Sequence, residues 1–426
     1  MSDAELSRSA PRSFVGLGCA ALAAVAICAC SRGDGARDTG APAAAPLITL
    51  DTHDDIPLDF ATPAVDPRTA NLQVNLEKMA RGGLDAAFFI VYVPQSARTD
   101  ANYAQAQADA QTKFAAIHRM ADELYPSRIE IAYRADDVAR IVGRGKLVGA
   151  IGIENGYVLG KRLELLDRDY ELGARYVTLV HDGDNDLARS ARPKPELGDG
   201  AVDTGVTELG AQAIARMNRL GIIVDVSHGS KKTALDAMRL SRAPVIASHS
   251  GVGGVFAHPR NMDDETLLAL RADGGVIQVV AYDEYLKPRP DEEVAALREL
   301  RDSVGLTERG GFGALTPEQR ARYDDGMRAI HERWPAATVR DLVNHIDYAV
   351  KLIGIDHVGI SSDFGGGGGV VGWQDASETR NVTTELEARG YSRADIAKLW
   401  SGNLLRVWRD VERVSANPTA HPPPAN

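Results

Sequence analysis

The stretch from Leu220 to Asn261, LGIIVDVSHGSKKTALDAMRLSRAPVIASHSGVGGVFAHPRN, limits what this chain can fold into more than any other. Ile222 to Val226 is apolar and β-branched apart from Asp225, Lys231 to Leu240 has helical spacing, and Val245 to Ala247 is again short and apolar. Two strands joined by a helix form a parallel unit, because the crossover returns the chain to the end from which the first strand started. His228 and His249 follow those strands. Both are therefore expected at the carboxyl-terminal edge of neighbouring strands, where α/β folds place their ligands. Two imidazoles there can share a metal.

The same rhythm runs through the rest of the chain. Strand-like runs occur at Leu47 to Asp51, Ala86 to Val93, Leu147 to Ile153, Tyr176 to Val180, Ile222 to Val226, Val245 to Ala247, Gly275 to Ala281 and His357 to Ser361. Helical patterns at Tyr103 to Leu124, Arg162 to Leu172, Thr207 to Leu220, Lys231 to Leu240, Asp263 to Arg271 and Thr338 to Leu352 separate most of them. Eight alternations within 426 residues, 44% of them hydrophobic, predict a (β/α)8 barrel of the TIM type, with a doubly wound open sheet as the second choice. Pro288 to Pro335 is long and charged and breaks the alternation, so it is expected as an insertion after the seventh strand, on the face where barrel active sites open. Residues 47–414 then form one domain, and Ser415 to Asn426, ending HPPPAN, reads as a disordered tail.

All three cysteines, Cys19, Cys28 and Cys30, lie in the first thirty residues. Phe14 to Cys30 carries no charge and follows Arg8 and Arg12, the layout of a secretory leader, and it is short for a permanent span, which needs about 20 apolar residues. Its end, Ile27-Cys28-Ala29-Cys30-Ser31, resembles the lipobox of bacterial lipoproteins. That resemblance implies cleavage before Cys30, a lipid on Cys30, and a protein held on the periplasmic side of a bacterial membrane. Residues 31–46, rich in Gly, Ala and Pro, read as a flexible tether. A net charge of −11 without a basic stripe argues against a nucleic-acid partner.

Ionisable residues sit where the strands end. His53 and Asp55 are two apart in an extended segment and face the same way, so an imidazole and a carboxylate can grip one ion. Glu154 directly follows the apolar third strand, and a carboxylate there can bridge two metals. His181 follows the fourth strand and Asp363 the eighth. Singly, each has an ordinary reading as a core histidine, a capping carboxylate or a solvated turn. Six strands ending this way on one edge of one barrel argue for a shared site.

Together these blocks resemble the membrane (renal-type) dipeptidase family of zinc peptidases, within the amidohydrolase barrel group. The resemblance runs from about Leu50 to Glu412. It rests on His53-Asp54-Asp55, Gly152-Ile153-Glu154-Asn155, Leu179-Val180-His181 with Asn185, Ala188 and Ser190, Val226-Ser227-His228, the run from Arg242 to Ser250, Pro259-Arg260-Asn261, Ser362-Asp363-Phe364 and Gly402-Asn403. It implies two Zn2+ per chain, one held by His53 and Asp55, the other by His228 and His249, with Glu154 between them. It also implies that His181 and Arg260 bind substrate, and that His181 and Asp363 serve catalysis. The implied reaction is hydrolysis of small dipeptides by a metal-bridging hydroxide, with a D-configured second residue tolerated.

Two positions depart from the family pattern: Gly365 stands where an Asp is common, and Arg189 where an acidic residue is common. Both bear on the substrate pocket. Two other readings remain at this point. One is another amidohydrolase-barrel enzyme acting on lactones, ureas or phosphotriesters, although no lysine between Tyr176 and Asp182 could supply a carboxylated bridge. The other is an inactive lipoprotein binding module. Whether the chain is a monomer or a homodimer is open.

Overall fold

The computed structural model describes residues 47–306 and 315–415. The leader and tether expected at residues 1–46, part of the insertion at 307–314 and the tail from residue 416 lie outside the described residues. Among the described residues ten strands follow in chain order: β1 (Leu50–Asp55), β2 (Ala86–Tyr92), β3 (Ile129–Ile131), β4 (Leu147–Glu154), β5 (Ala174–Thr178), β6 (Ile223–Asp225), β7 (Ile246–Val252), β8 (Asn261–Met262), β9 (Val276–Val280) and β10 (Val358–Ser361). The ladder runs β1-β2-β4-β5-β6-β7-β9-β10, all parallel, with β3 added beside β4 and β8 beside β7. Just past β10, the carbonyl of Phe364 accepts from the Asp55 amide at 2.7 Å and brings the last strand back to the first. These are the eight strands expected from the sequence, nearly closed into a barrel.

Helices return the chain between strands and begin where side chains can satisfy the first free amides. Thr207, Ser230, Asp263 and Thr338 each accept from the amide three residues on, starting Glu208–Leu220, Lys231–Leu240, Asp264–Asp273 and Val339–Ile353. The Thr99 cap starts a helix at Asp100, earlier than expected, and Asp100–His118 ends in a π-helical turn, Arg119–Leu124. Helices at Leu76–Gly82, Ala135–Val142, Arg380–Ala388 and Asn403–Val414 were not apparent in the apolar pattern. Among the described residues no helix is long and apolar enough to cross a membrane.

The barrel interior is a column of rings. Trp408, from helix Asn403–Val414, packs on Phe88 at 5.7 Å between centroids, and Phe88 packs on Tyr176 at 5.2 Å. All three are fully buried, each such side chain contributing about 2 to 3 kcal/mol of apolar burial. Tyr176 fits because Gly152 faces it: a Cβ there would stand 2.3 Å from the ring. The column ends at the Tyr176 hydroxyl, which holds His53.

The insertion begins after β9 and contains helices Asp291–Ser303 and Pro317–Arg333. Its base is tied down at both ends. Asp283 accepts from Arg289 at the start and from the Ala337 amide at the exit, and Lys287 donates to the Pro335 carbonyl.

Candidate metal centre

Glu154, the last residue of β4, lies at the middle of a cluster drawn from four strand ends. Its Oε2 faces His53 Nε2 at 3.4 Å, and His53 Nε2 is 3.5 Å from Asp55 Oδ2. Its Oε1 faces His228 Nε2 at 3.1 Å and His249 Nε2 at 3.2 Å. The carboxylate therefore presents one oxygen to each half of the cluster. His53, Glu154 and His249 are almost entirely buried, and His228 is 6% exposed. A bulge in β1 between Asp51 and Asp54 re-aims His53, and Asp51 Oδ1 holds the bulge by accepting from the amides of His53 and Ser362.

The Nδ1 atom of each of these three histidines is engaged by the protein. The Tyr176 hydroxyl donates to the Thr52 carbonyl at 3.0 Å, so at 2.8 Å it can only accept from His53 Nδ1. Ser248 Oγ donates to Asp225 Oδ2 at 2.6 Å and so accepts from His249 Nδ1 at 2.9 Å. Asp182 Oδ1 accepts from His228 Nδ1 at 3.1 Å. With the protons on Nδ1, all three Nε2 lone pairs point inwards. Those of His228 and His249 stand 2.9 Å apart, aimed at the same carboxylate oxygen, and His53 Nε2 and Asp55 Oδ1 are buried without a hydrogen bond. Converging lone pairs and carboxylates repel one another unless a cation lies between them. The donor set fits metal ions.

Titration behaviour reflects the same frustration. Burial disfavours the charged form of Glu154, yet its imidazole neighbours, His53 first, hold its carboxyl well below the usual range. Burial works against a charged His53, but Glu154 and Asp55 outweigh it and raise His53 well above an ordinary imidazole. Burial, then His53, pushes neighbouring His249 well below.

The remaining expected residues line the same edge. His181, three residues past β5, reaches to 4.0 Å from Glu154 Oε1 and stacks near His228, with ring centroids 4.1 Å apart. Burial and His228 push His181 down to about 3, so the ring is neutral. Asp363 groups with His53 and His249 in left-handed backbone, φ 60°, and burial raises its carboxyl well above the usual range. Arg260 is 3% exposed; its Nη2 donates to the His249 carbonyl at 3.1 Å, its Nε has no hydrogen-bond partner, and its guanidinium lies over Tyr285 at 5.2 Å.

The profile of the family "Membrane dipeptidase (Peptidase family M19)" matches residues 43–421. The chain belongs to this family. Dipeptidase tcpJ of Claviceps purpurea is 31% identical over 349 residues, covering 81% of this chain and 70% of that protein. The crystal structure of the probable dipeptidase PvdM from Pseudomonas aeruginosa is 37% identical with a TM-score of 0.76, covering 87% of this chain and 96% of that one. A metallo peptidase from Rhodobacter sphaeroides, liganded with a phosphinate mimic of the dipeptide L-Ala-D-Ala, shares the fold at 21% identity and a TM-score of 0.65, covering 86% of this chain and 99% of that one. As a membrane dipeptidase, this chain is a metallopeptidase of the barrel type with small peptides as substrates.

Of the two departures from the family pattern, Arg189 turns out to pair with Asp184 and to donate to the Gly200 carbonyl. Gly365 opens a loop pressed against the centre: a Cβ on Gly366 would stand 2.4 Å from Asp363 Oδ1 and 2.5 Å from Asp55 Oδ2. Sequence reasoning passed over the residues behind the centre, namely Asp182, Tyr176, Ser248 and Asp225. Asp225 did leave a signal, as the one carboxylate inside an otherwise apolar strand. Lys113 left none. It is 5% exposed, with its ammonium 5.5 Å from the Tyr92 ring, and its charge is disfavoured by burial and supported by Asp55, Glu154 and Asp109.

Proposed function

We propose that this membrane dipeptidase works with two Zn2+, one held by His53 and Asp55, the other by His228 and His249, with Glu154 shared. The observation that carries this reading is the division of Glu154 between two clusters, one oxygen toward each. Bound there, the ions would activate a water for attack near neutral pH and polarise the scissile carbonyl.

The chain's own residues account for the rest of the reaction. Arg260, with unused donors on a planar fork, holds the substrate's terminal carboxylate. His181, neutral and able to donate from Nε2, stabilises the carbonyl oxygen as it gains charge. Asp363 takes the proton from the attacking water and delivers it to the leaving amine. The buried walls keep competing water out. A substrate held by its carboxylate leaves the configuration of the second residue unread, so L-Ala-D-Ala is expected to be cut within about tenfold of L-Ala-L-Ala.

Purified enzyme should hold two zinc ions per chain by elemental analysis, and Glu154→Gln should lose metal and about a hundredfold or more of activity while keeping its circular dichroism. Full activity with a single ion per chain would overturn the shared-carboxylate reading. The leader is proposed to make the protein a lipid-anchored exported enzyme on the periplasmic side of the membrane, with Cys30 as the anchor point. Wild type should then sediment with membranes and Cys30→Ala should not.

A further inference from the structure

Gln73, in the segment that leads from β1 to helix Leu76–Gly82, reaches across to the glycine run that follows β10. Its Oε1 accepts from the Gly365 amide at 2.9 Å, and its Nε2 donates to the carbonyls of Gly368 and Gln374, each at 2.9 Å. One amide and two carbonyls around the same group fix which end of the Gln73 side chain is oxygen. A single half-buried side chain from the start of the chain therefore holds the glycine run near both of its ends.

Gln73 can hold the run because its own backbone is fastened. Its carbonyl accepts from the Ala376 amide at 3.0 Å. Two residues on, Asn75 caps helix Leu76–Gly82 by accepting from the Lys78 amide at 2.8 Å, and Lys78 Nζ pairs with Asp375 at 2.9 Å. The far end of that helix rests so closely on residue 376 that a Cβ on Gly82 would stand 1.8 Å from the Ala376 carbonyl oxygen. The helix and residues 374–376 are thus docked on each other, with Gln73 built into the joint. The glycine run has no side chains of its own to pack, and glycine backbone has the most freedom to lose. At its head stands Asp363, a non-glycine residue in left-handed backbone, which persists only where the surroundings over-determine it. The Asp363 carbonyl is held by the Gly366 and Gly368 amides, and Gln73 fixes the residues on either side of the first and the second of these themselves.

We propose that Gln73 is a positioning residue for the Asp363 carboxylate: by pinning the glycine run it fixes the backbone of Asp363 and so the aim of the group that moves the proton. This rests on the reading of Asp363 as the acid and base of the reaction. The Gln73 amide is engaged by the loop, so its loss slows the step that needs Asp363 and leaves the metal ligands and the Arg260 clamp as they are.

Steady-state kinetics of the zinc-loaded enzyme on Ala-Ala, with zinc content from elemental analysis, test this. Gln73→Met, similar in length but without the hydrogen bonds, should lower kcat about tenfold and leave KM and zinc content within about twofold of wild type. Made in the Asp363→Asn enzyme, the same substitution should cost less than about a further twofold, because the group it positions is already gone. Gln73→Glu, which still accepts from Gly365 and cannot donate to the two carbonyls, should show a smaller loss of the same kind, and it carries the test if Gln73→Met does not fold. Equal losses with and without Asp363, loss of zinc, or an unchanged kcat would overturn the proposal. Asp363→Asn alone should lose about a hundredfold or more of kcat. If it keeps most of the wild-type kcat, the acid and base assignment itself fails and this inference with it.

Discussion

Three histidines in the centre use the same device in three chemically different versions. His53 is held by a tyrosine hydroxyl, His249 by a serine relaying Asp225, and His228 by the Asp182 carboxylate. In each, the partner keeps the proton on Nδ1 and the ring in one orientation, so Nε2 remains a ready ligand. Asp182 is the least buried of the three anchors and is shared with Arg192 at 3.3 Å. Burial opposes its charge, yet hydrogen bonding from His228, with His181 and Arg192 nearby, holds it well below the usual carboxylate range. Asp182→Ala should free the His228 ring to rotate or to move its proton. Metal affinity measured by chelator competition should fall about ten- to a hundredfold, with circular dichroism unchanged. Unchanged affinity would mean that packing alone orients His228.

At the scale of the element, the loop after β10 explains why glycine stands where the family commonly has an acid. The Asp363 carbonyl accepts from the amides of Gly366 at 3.2 Å and Gly368 at 2.8 Å, which folds the loop tightly under the centre. Gly365 is in left-handed backbone, φ 83°, with the Asp55 carbonyl 2.4 Å from where its Cβ would be. Gly366→Ala would push a methyl group between Asp55 and Asp363. Because displacements of about 1 Å in a catalytic constellation cost on the order of a hundredfold, kcat/KM for a dipeptide should fall by about that factor. Gly390 makes a useful control: its φ is 88° and nothing lies within 4 Å of its Cβ position. Gly390→Ala should cost about 1 to 2 kcal/mol of unfolding free energy from backbone strain and leave the kinetics alone.

For the whole molecule, pH acts on the barrel's opposite end as well as on its site. Asp273 closes helix Asp264–Asp273, and its Oδ2 accepts from the Val245 amide at 2.8 Å just before β7. Burial pushes its carboxyl up to about 6, against the opposing effect of that hydrogen bond. A carboxyl with a raised pKa binds its proton more tightly in the folded state. Its contribution to stability is fully present below the unfolded value near 4 and is lost as pH rises through about 6. The shift corresponds to about 1 to 3 kcal/mol once partial exposure is allowed for. Asp273→Asn keeps an acceptor and removes the titration. The stability of wild type relative to this variant, from urea unfolding of zinc-loaded protein, should therefore fall by about that amount between pH 4 and pH 7.

The barrel was legible in the sequence because each strand buries both faces and so reads as an apolar run, with helical spacing between runs. The line of ionisable residues on one edge was legible because a parallel strand points its carboxyl end at one face only: His53, Asp55, Glu154, His181, His228, His249 and Asp363 all follow apolar runs. Helix Asn403–Val414, which plugs the barrel floor, was not apparent, although Leu404, Leu405, Val407, Trp408 and Val411 are buried. Local periodicity does not say which face a terminal helix will cover. Nor could spacing pair Asp182 with His228 across 46 residues, or bring Tyr285 under the guanidinium of Arg260. What the sequence alone determined was the period of the elements and the chemical type of each strand end, both local properties of the chain. Which nitrogen of each histidine faces inwards, and which distant residue holds the other, was decided by tertiary packing, because only closure of the barrel brings those partners within hydrogen-bonding distance.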